Sequence, residues 1–175
     1  MKEVLVKHFF SFLLVTLLVI GFVAACGDSG NGSGGETQPA KADGETFEND
    51  YFKAFIPDGW TVFDDSKLGM MQIYPKGDTS MYRTTIHLKF EGKGNWHGTP
   101  EQSIANMASN YSGTAPEKVV INGTEYYKTT YEYSGHKQTM MVAKKDGNKI
   151  TVTMVGKDYD KNPHIPKILE TISYK

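Results

Sequence analysis

Only one cysteine, Cys26, occurs in the 175-residue chain. No disulfide can form within it, and any thiol chemistry would have to use that one residue. Basic residues are no commoner than acidic ones, 19 Lys plus Arg against 20 Asp plus Glu. The positive excess that draws nucleic acid is therefore missing. Catalytic signatures are missing too: there is no Ser-centred nucleophile elbow and no paired-histidine helix. Asp58, Asp64, Asp65 and Asp146 are scattered through stretches rich in turn formers, where acidic residues have structural reasons to sit. No internal repeat is present, and no low-complexity segment follows residue 45.

The first residues carry an address. Lys2 and Lys7 precede an almost wholly apolar stretch, residues 9–23, that ends in small side chains. That is the layout of a secretory signal, and the run falls short of the ~20 residues a membrane-crossing helix needs. The segment Val23, Ala24, Ala25, Cys26, Gly27 resembles the lipobox of bacterial lipoproteins. The resemblance implies a signal peptide over residues 1–25, cleaved between Ala25 and Cys26. It also implies that Cys26 carries a thioether-linked diacylglycerol and an N-acyl chain, a covalent anchor with no dissociable cofactor. Several acyl chains, each methylene contributing about 0.8 kcal/mol, would make release from the membrane slow.

Residues 26–45 are rich in Gly, Ser, Asn and Asp without apolar periodicity, and are read as a flexible tether. A random coil of that length spans roughly 25 Å, enough to float a domain clear of the headgroups. No strand leads into its glycines and no helix follows, so it is not a phosphate loop. A long tether of this kind favours the surface of a Gram-positive cell, at the extracytoplasmic face of the cytoplasmic membrane. Without residues 1–25 the chain holds 17 basic and 19 acidic residues, a net charge near −2.

Residues 46–175 read as one globular domain, long enough to bury a core without disulfide or metal. Residues 51–56 and 60–63 flank Pro57, Asp58 and Gly59, a pattern that predicts a β-hairpin. Strands are predicted at 70–74 and 84–90, rich in β-branched and aromatic residues. A helix follows, with Thr99 as cap, Pro100 first and Gln102 reaching back. Its stripe is Ile104, Met107, Ala108 and Tyr111, and Gly113 is placed to end it. A four-strand meander is predicted over 118–121, 124–133, 137–144 and 149–155, with Asn122-Gly123, Ser134-Gly135 and Asp146-Gly147 at its turns. A last helix is predicted from Asn162 as cap and Pro163 as first residue, with Ile165, Ile168, Leu169 and Ile172 as its stripe. Strand runs with two separate helices argue an α+β domain, amphipathic helices packed on a curved antiparallel sheet.

This order of elements, the segment from Phe52 through Ile56, Pro57, Asp58, Gly59 and Trp60, and the closing helix Ile165 to Ile172 resemble the PsbP and Mog1 family. The resemblance implies an α/β/α sandwich around an antiparallel sheet. Members of that family act in different settings, so it implies partnership without catalysis and nothing finer.

Candidate sites follow from residue type and spacing. His87 and Glu91 share a strand face by their even spacing, and with His97 in the next loop they form a candidate metal set. Exposed His and Glu near a strand end are also ordinary. Asp158, Asp160 and Asn162 alternate like calcium ligands, but Pro163 and Leu169 stand where the loop's glycine and glutamate belong. Trp96, between Gly94 and Gly98, and its neighbour His97 are the candidate interface, the alternative being a ring folded back on the sheet. Trp60 is read as core. Tyr127, Tyr131 and Tyr133 share one strand face, with Tyr126 on the other, and are read as packing beneath a helix, the alternative being a stripe that binds a planar ligand or sugar.

The function expected is that of a non-catalytic surface lipoprotein: an accessory protein binding an envelope partner, membrane-held and with no nucleic acid. A small-solute or metal-binding module is the alternative, and an envelope hydrolase the next.

Overall fold

Strand-forming residues dominate residues 43–175, the part of the chain that the computed structural model describes. The expected signal peptide, the Ala25/Cys26 cleavage and lipidation site, and the tether up to residue 42 lie outside the described residues. The elements run β1 (Gly44–Glu48), β2 (Phe52–Pro57), β3 (Trp60–Asp65), β4 (Met70–Pro75), β5 (Thr85–Glu91) and α1 (Pro100–Tyr111). They continue with β6 (Glu117–Ile121), β7 (Thr124–Tyr133), β8 (His136–Lys145), β9 (Asn148–Val155), α2 (His164–Thr171) and β10 (Ser173–Tyr174).

Seven strands form one sheet in the order β3-β4-β5-β9-β8-β7-β6, antiparallel at every pairing. A smaller sheet, β1-β2-β10, is antiparallel as well. Because side chains alternate across a strand, register assigns each residue a face. Met71 lies opposite Leu88, Leu88 opposite Val152, and Val152 opposite Met141. These residues, with Ile73, Ile86, Ala143 and Ile150, form the inner face. Phe52, Ala54 and Ile56 of β2 and Ile165, Ile168 and Ile172 of α2 complete the same core. Full burial of a side chain such as Ile168 contributes roughly 1.5–3 kcal/mol. Helix α2 packs on β2, while α1 packs on β7 and β8. The α+β sandwich expected from the sequence is the observed architecture.

Local signals reappear as geometry. Thr99 Oγ1 accepts from the Gln102 backbone N–H at 3.1 Å, and Gln102 Oε1 accepts from the Thr99 N–H at 3.2 Å, a reciprocal capping box. The meander pairs as predicted, and each Asn-Gly, Ser-Gly and Asp-Gly turn places both residues at positive φ.

Four expectations are corrected. Residues 51–63 do not form a hairpin: β2 pairs with β1 and β10, and β3 with β4, so the Asp58-Gly59 turn carries the chain from one sheet to the other. The aromatic and aliphatic residues of β2 are buried against α2 and the large sheet, which outweighs local pairing with β3. The strand β1 begins at Gly44, two residues inside the expected tether, where a side chain would meet the Phe55 ring and the Pro57 backbone. Its polar sequence hides it, since most of its side chains face water. The last helix starts at His164, not Pro163, with Asn162 Oδ1 accepting from the His164 N–H at 3.0 Å, and β10 closes the chain against β2. Finally, the left-handed residue ending α1 is Ser112, at φ 51°. Gly113 serves close approach instead: a Cβ there would lie 2.8 Å from Thr129 Oγ1.

Candidate binding surface on the open sheet face

Helix α1 rests on β7 and β8, so only half of the outer sheet face lies beneath it. The other half is built by the outward residues of β3, β4, β5 and β9. Phe63 faces Gln72, Gln72 faces His87 and His87 faces Thr153. In the next row Met70 faces Lys89 and Lys89 faces Thr151. These side chains are half-buried or exposed, with Phe63 50% exposed. Half of the Phe63 ring is left uncovered by the described residues.

Two clusters bound this surface. At one end the Tyr82 ring stacks on His136 at 3.8 Å between centroids, and the Arg83 guanidinium lies 3.9 Å over the Tyr74 ring. At the other end the half-buried Trp96 lies across Lys144 and Lys149, whose Nζ atoms are 5.5 and 5.6 Å from its centroid. Lys149 pairs with Glu91 at 2.9 Å, and Lys89 approaches the same carboxylate at 3.5 Å. Burial works against the Glu91 charge, but the two lysines outweigh it and hold the carboxyl below its usual range. His87 is held below the usual imidazole value by burial first and by the nearby Arg83 charge second. Arg83, Lys89, Lys144 and Lys149 on this face outnumber Asp65 and Glu91, so the face is locally positive although the chain is not.

Two open hollows adjoin the face. A cleft of about 580 Å³ lies between the start of α1 and the β6–β7 turn, lined by Thr99, Glu101, Asn122, Tyr127, Lys144 and Lys145. A shallower one of about 420 Å³ includes Tyr51, Leu68, Phe90 and Asn95.

The residues predicted from sequence are distributed as follows. His87 and Glu91 do share the outer face, but Glu91 is engaged by two lysines and His97 stands exposed in the loop beyond. Among the described residues no three His, Cys, Asp or Glu side chains come together in a way that could hold a metal ion. Asp158 pairs with Lys161 at 2.8 Å and Asp160 with Lys137 at 2.6 Å. Trp96 is half-buried, with the ammonium groups of Lys144 and Lys149 over its ring. Trp60 is core, 9% exposed. Tyr126 is in the core, Tyr131 packs at 5.2 Å from Tyr111 of α1, and Tyr133 is exposed.

Phe63, Tyr74, Tyr82 and Arg83 were not legible as a group. Period-two alternation in β3 and β4 could have put Phe63, Gln72 and Tyr74 on one face, but the segment 76–84 that supplies Tyr82 and Arg83 has no periodicity to read.

No protein-family model matches the chain, and no curated protein matches it either. Among solved structures, the solution structure of cyanobacterial PsbP (CyanoP) from Synechocystis sp. PCC 6803 superimposes with a TM-score of 0.51 at 13% identity. The match covers 82% of this chain and 98% of that one, and shows a PsbP-like fold. A crystal structure from Bacteroides thetaiotaomicron VPI-5482 matches with a TM-score of 0.48 at 12% identity, over 76% of this chain. The match takes in 49% of the Bacteroides chain, about half its length.

Proposed function

We propose that this protein is a non-catalytic, lipid-anchored accessory protein, held through Cys26 at the outer face of a bacterial cytoplasmic membrane. It binds an envelope protein partner with the open half of its large sheet and the Trp96 loop. The observation that carries the reading is the contrast within one sheet face. Helix α1 packs over β7 and β8, while among the described residues no helix packs over Phe63, Met70, Gln72, Tyr74 and His87 beside it. A half-exposed Phe and a partly wet Trp at two borders of a positive surface are the residue types that anchor protein interfaces. The anchor and the address are supported by the Ala24-Ala25-Cys26 boundary and the apolar run before it.

The test is in-cell photo-crosslinking of the full chain with a reactive residue placed at Phe63, at Trp96 or, as control, at Asn110 on the solvent side of α1. A shared partner captured from Phe63 and Trp96, absent from Asn110, and lost in a Cys26→Ser variant is the expected result. Capture that is equal from all three positions, or none above background, overturns the reading. Incorporation of labelled fatty acid into Cys26→Ser would overturn the anchor.

A further inference from the structure

Arg83 is the only arginine in the chain, all other strong bases being lysines. Its position is held from several sides. The Lys157 backbone N–H donates to the Tyr82 carbonyl at 3.0 Å, and Thr84 Oγ1 donates to the Lys157 carbonyl at 3.2 Å. Thr85 Oγ1 donates to the Arg83 carbonyl at 3.3 Å, and the Arg83 N–H donates to the Ser80 carbonyl at 3.2 Å. Gly156 lets the two segments close, because a Cβ there would run into the Arg83 carbonyl oxygen. The side chain is held as well: its guanidinium carbon lies over the Tyr74 ring, and Nη1 donates to the Asp78 carbonyl at 3.4 Å.

Despite this support, the guanidinium has no carboxylate partner among the described residues. Eight ion pairs occur among the described residues; every one uses a lysine, and none includes Arg83. A guanidinium presents five N–H donors in a rigid fork, and the one bond it donates among the described residues is to a neutral carbonyl. His87 stands four residues on, on the same face by alternation, with Gln72 and Thr153 as its cross-strand neighbours. Its ring makes no hydrogen bond among the described residues, although it is half-buried. A fork held over an aromatic ring, on the same sheet face as an imidazole that has no hydrogen-bond partner among the described residues, is preorganised to donate to the oxygens of an oxyanion.

We propose that Arg83, supported by Tyr74 and assisted by His87, forms an oxyanion-binding subsite that takes a carboxylate or phosphate group of the ligand seated on the open sheet face. The inference rests on the reading of that face as the docking surface and supplies the chemistry of its ligand. The fork can donate to two oxygens side by side, and a neutral His87 ring on the same face offers one further N–H donor. Lysines 89, 144 and 149 differ in kind, since each is committed to Glu91 or to the Trp96 ring.

The experiment follows the Arg83 Nε–H and His87 ring resonances of the full-length chain in zwitterionic detergent near neutral pH. Three titrants are used: sodium phosphate, N-acetylglutamate, and sodium chloride at matched ionic strength. A saturable shift at both residues in the millimolar range, about −4 kcal/mol, is expected for phosphate or N-acetylglutamate, and none for chloride. The stronger of the two identifies whether the natural group is phosphate or carboxylate. Arg83→Lys weakens that binding about tenfold or more and Arg83→Gln abolishes it, while both variants remain folded at the assay temperature. Trp96→Ala, which belongs to the docking reading, leaves it intact. Shifts that rise linearly with all three salts, or that persist in Arg83→Gln, overturn the subsite. Crosslinking from Phe63 that survives in a protein without anion shifts would remove the subsite and keep the docking surface; anion shifts without any crosslinked partner would do the reverse.

Discussion

The Tyr159 hydroxyl lies 2.6 Å from Thr139 Oγ1, both atoms buried, and Thr139 Oγ1 lies 2.7 Å from Thr130 Oγ1. Thr130 and Thr139 face each other across β7 and β8, so the relay ties the short helical turn Tyr159–Lys161 to the middle of the large sheet. Burial, the largest influence, raises the Tyr159 phenol above its usual pKa. The relay therefore stays protonated and hydrogen-bonded at neutral pH. Tyr159→Phe should cost about 1 kcal/mol, since Thr139 keeps Thr130 as partner. Thr139→Val strands two hydroxyls and should cost about 2–3 kcal/mol. Urea midpoints of the two variants measure the difference; equal losses would show that Thr139 does not link the other two.

Alkaline pH should unfold the domain through its buried phenols. Tyr126 is in the core, and burial pushes its pKa from 10.0 up to about 12. The unfolded chain ionises first, so the stabilisation is intact below pH 10 and is lost as pH rises towards 12. A shift of that size corresponds to about 3 kcal/mol. Tyr126→Phe should flatten the fall of stability across this window. Part of the slope should remain, because Tyr131 and Tyr159 are raised as well. An unchanged slope in denaturant titrations would place the alkaline sensitivity elsewhere.

Two glycines at positive φ should respond differently to alanine. Gly59, at φ 81°, has open space where a Cβ would go, so Gly59→Ala pays only for the left-handed backbone, about 1 kcal/mol. Gly156, at φ 107°, adds a collision with the Arg83 carbonyl and with Thr84 Cα. Gly156→Ala should lose about 3 kcal/mol or more, with the loop 76–84 detaching from β9. Melting temperatures rank the pair, and amide exchange at Lys157 reports the detachment.

The two tryptophans separate core from surface. Trp60 is buried, with its ring in edge contact with His164 at 5.9 Å, and Trp60→Ala should cost about 3–5 kcal/mol. Trp96→Ala removes partial burial and two lysine contacts, and should cost about 1 kcal/mol while weakening partner capture. A loss at Trp96 as large as that at Trp60 would move its ring into the structural core.

What was legible beforehand divides along the same line. His87 and Glu91 were placed on one face correctly because strand alternation is local, yet Glu91's partners Lys149 and Lys89 could not be known until β5 and β9 were seen to pair. Trp96 was identified from its glycine-flanked loop, but its seat on Lys144 and Lys149 depends on strands some fifty residues away.

The sequence by itself determined the elements whose causes lie within a few residues. The Thr99 to Gln102 box starts α1, the paired residues at positive φ turn the meander, and alternation in β5 and β9 selects which side chains face inward. Tertiary structure alone decided which strands became neighbours. The segments before and after Asp58-Gly59 joined different sheets, β10 closed on β2, and β9 came between β5 and β8. It also decided that Tyr74 would lie beneath Arg83. The physical reason is range: capping and turn chemistry act through the backbone of adjacent residues, whereas strand partners are chosen by the burial that distant segments achieve together.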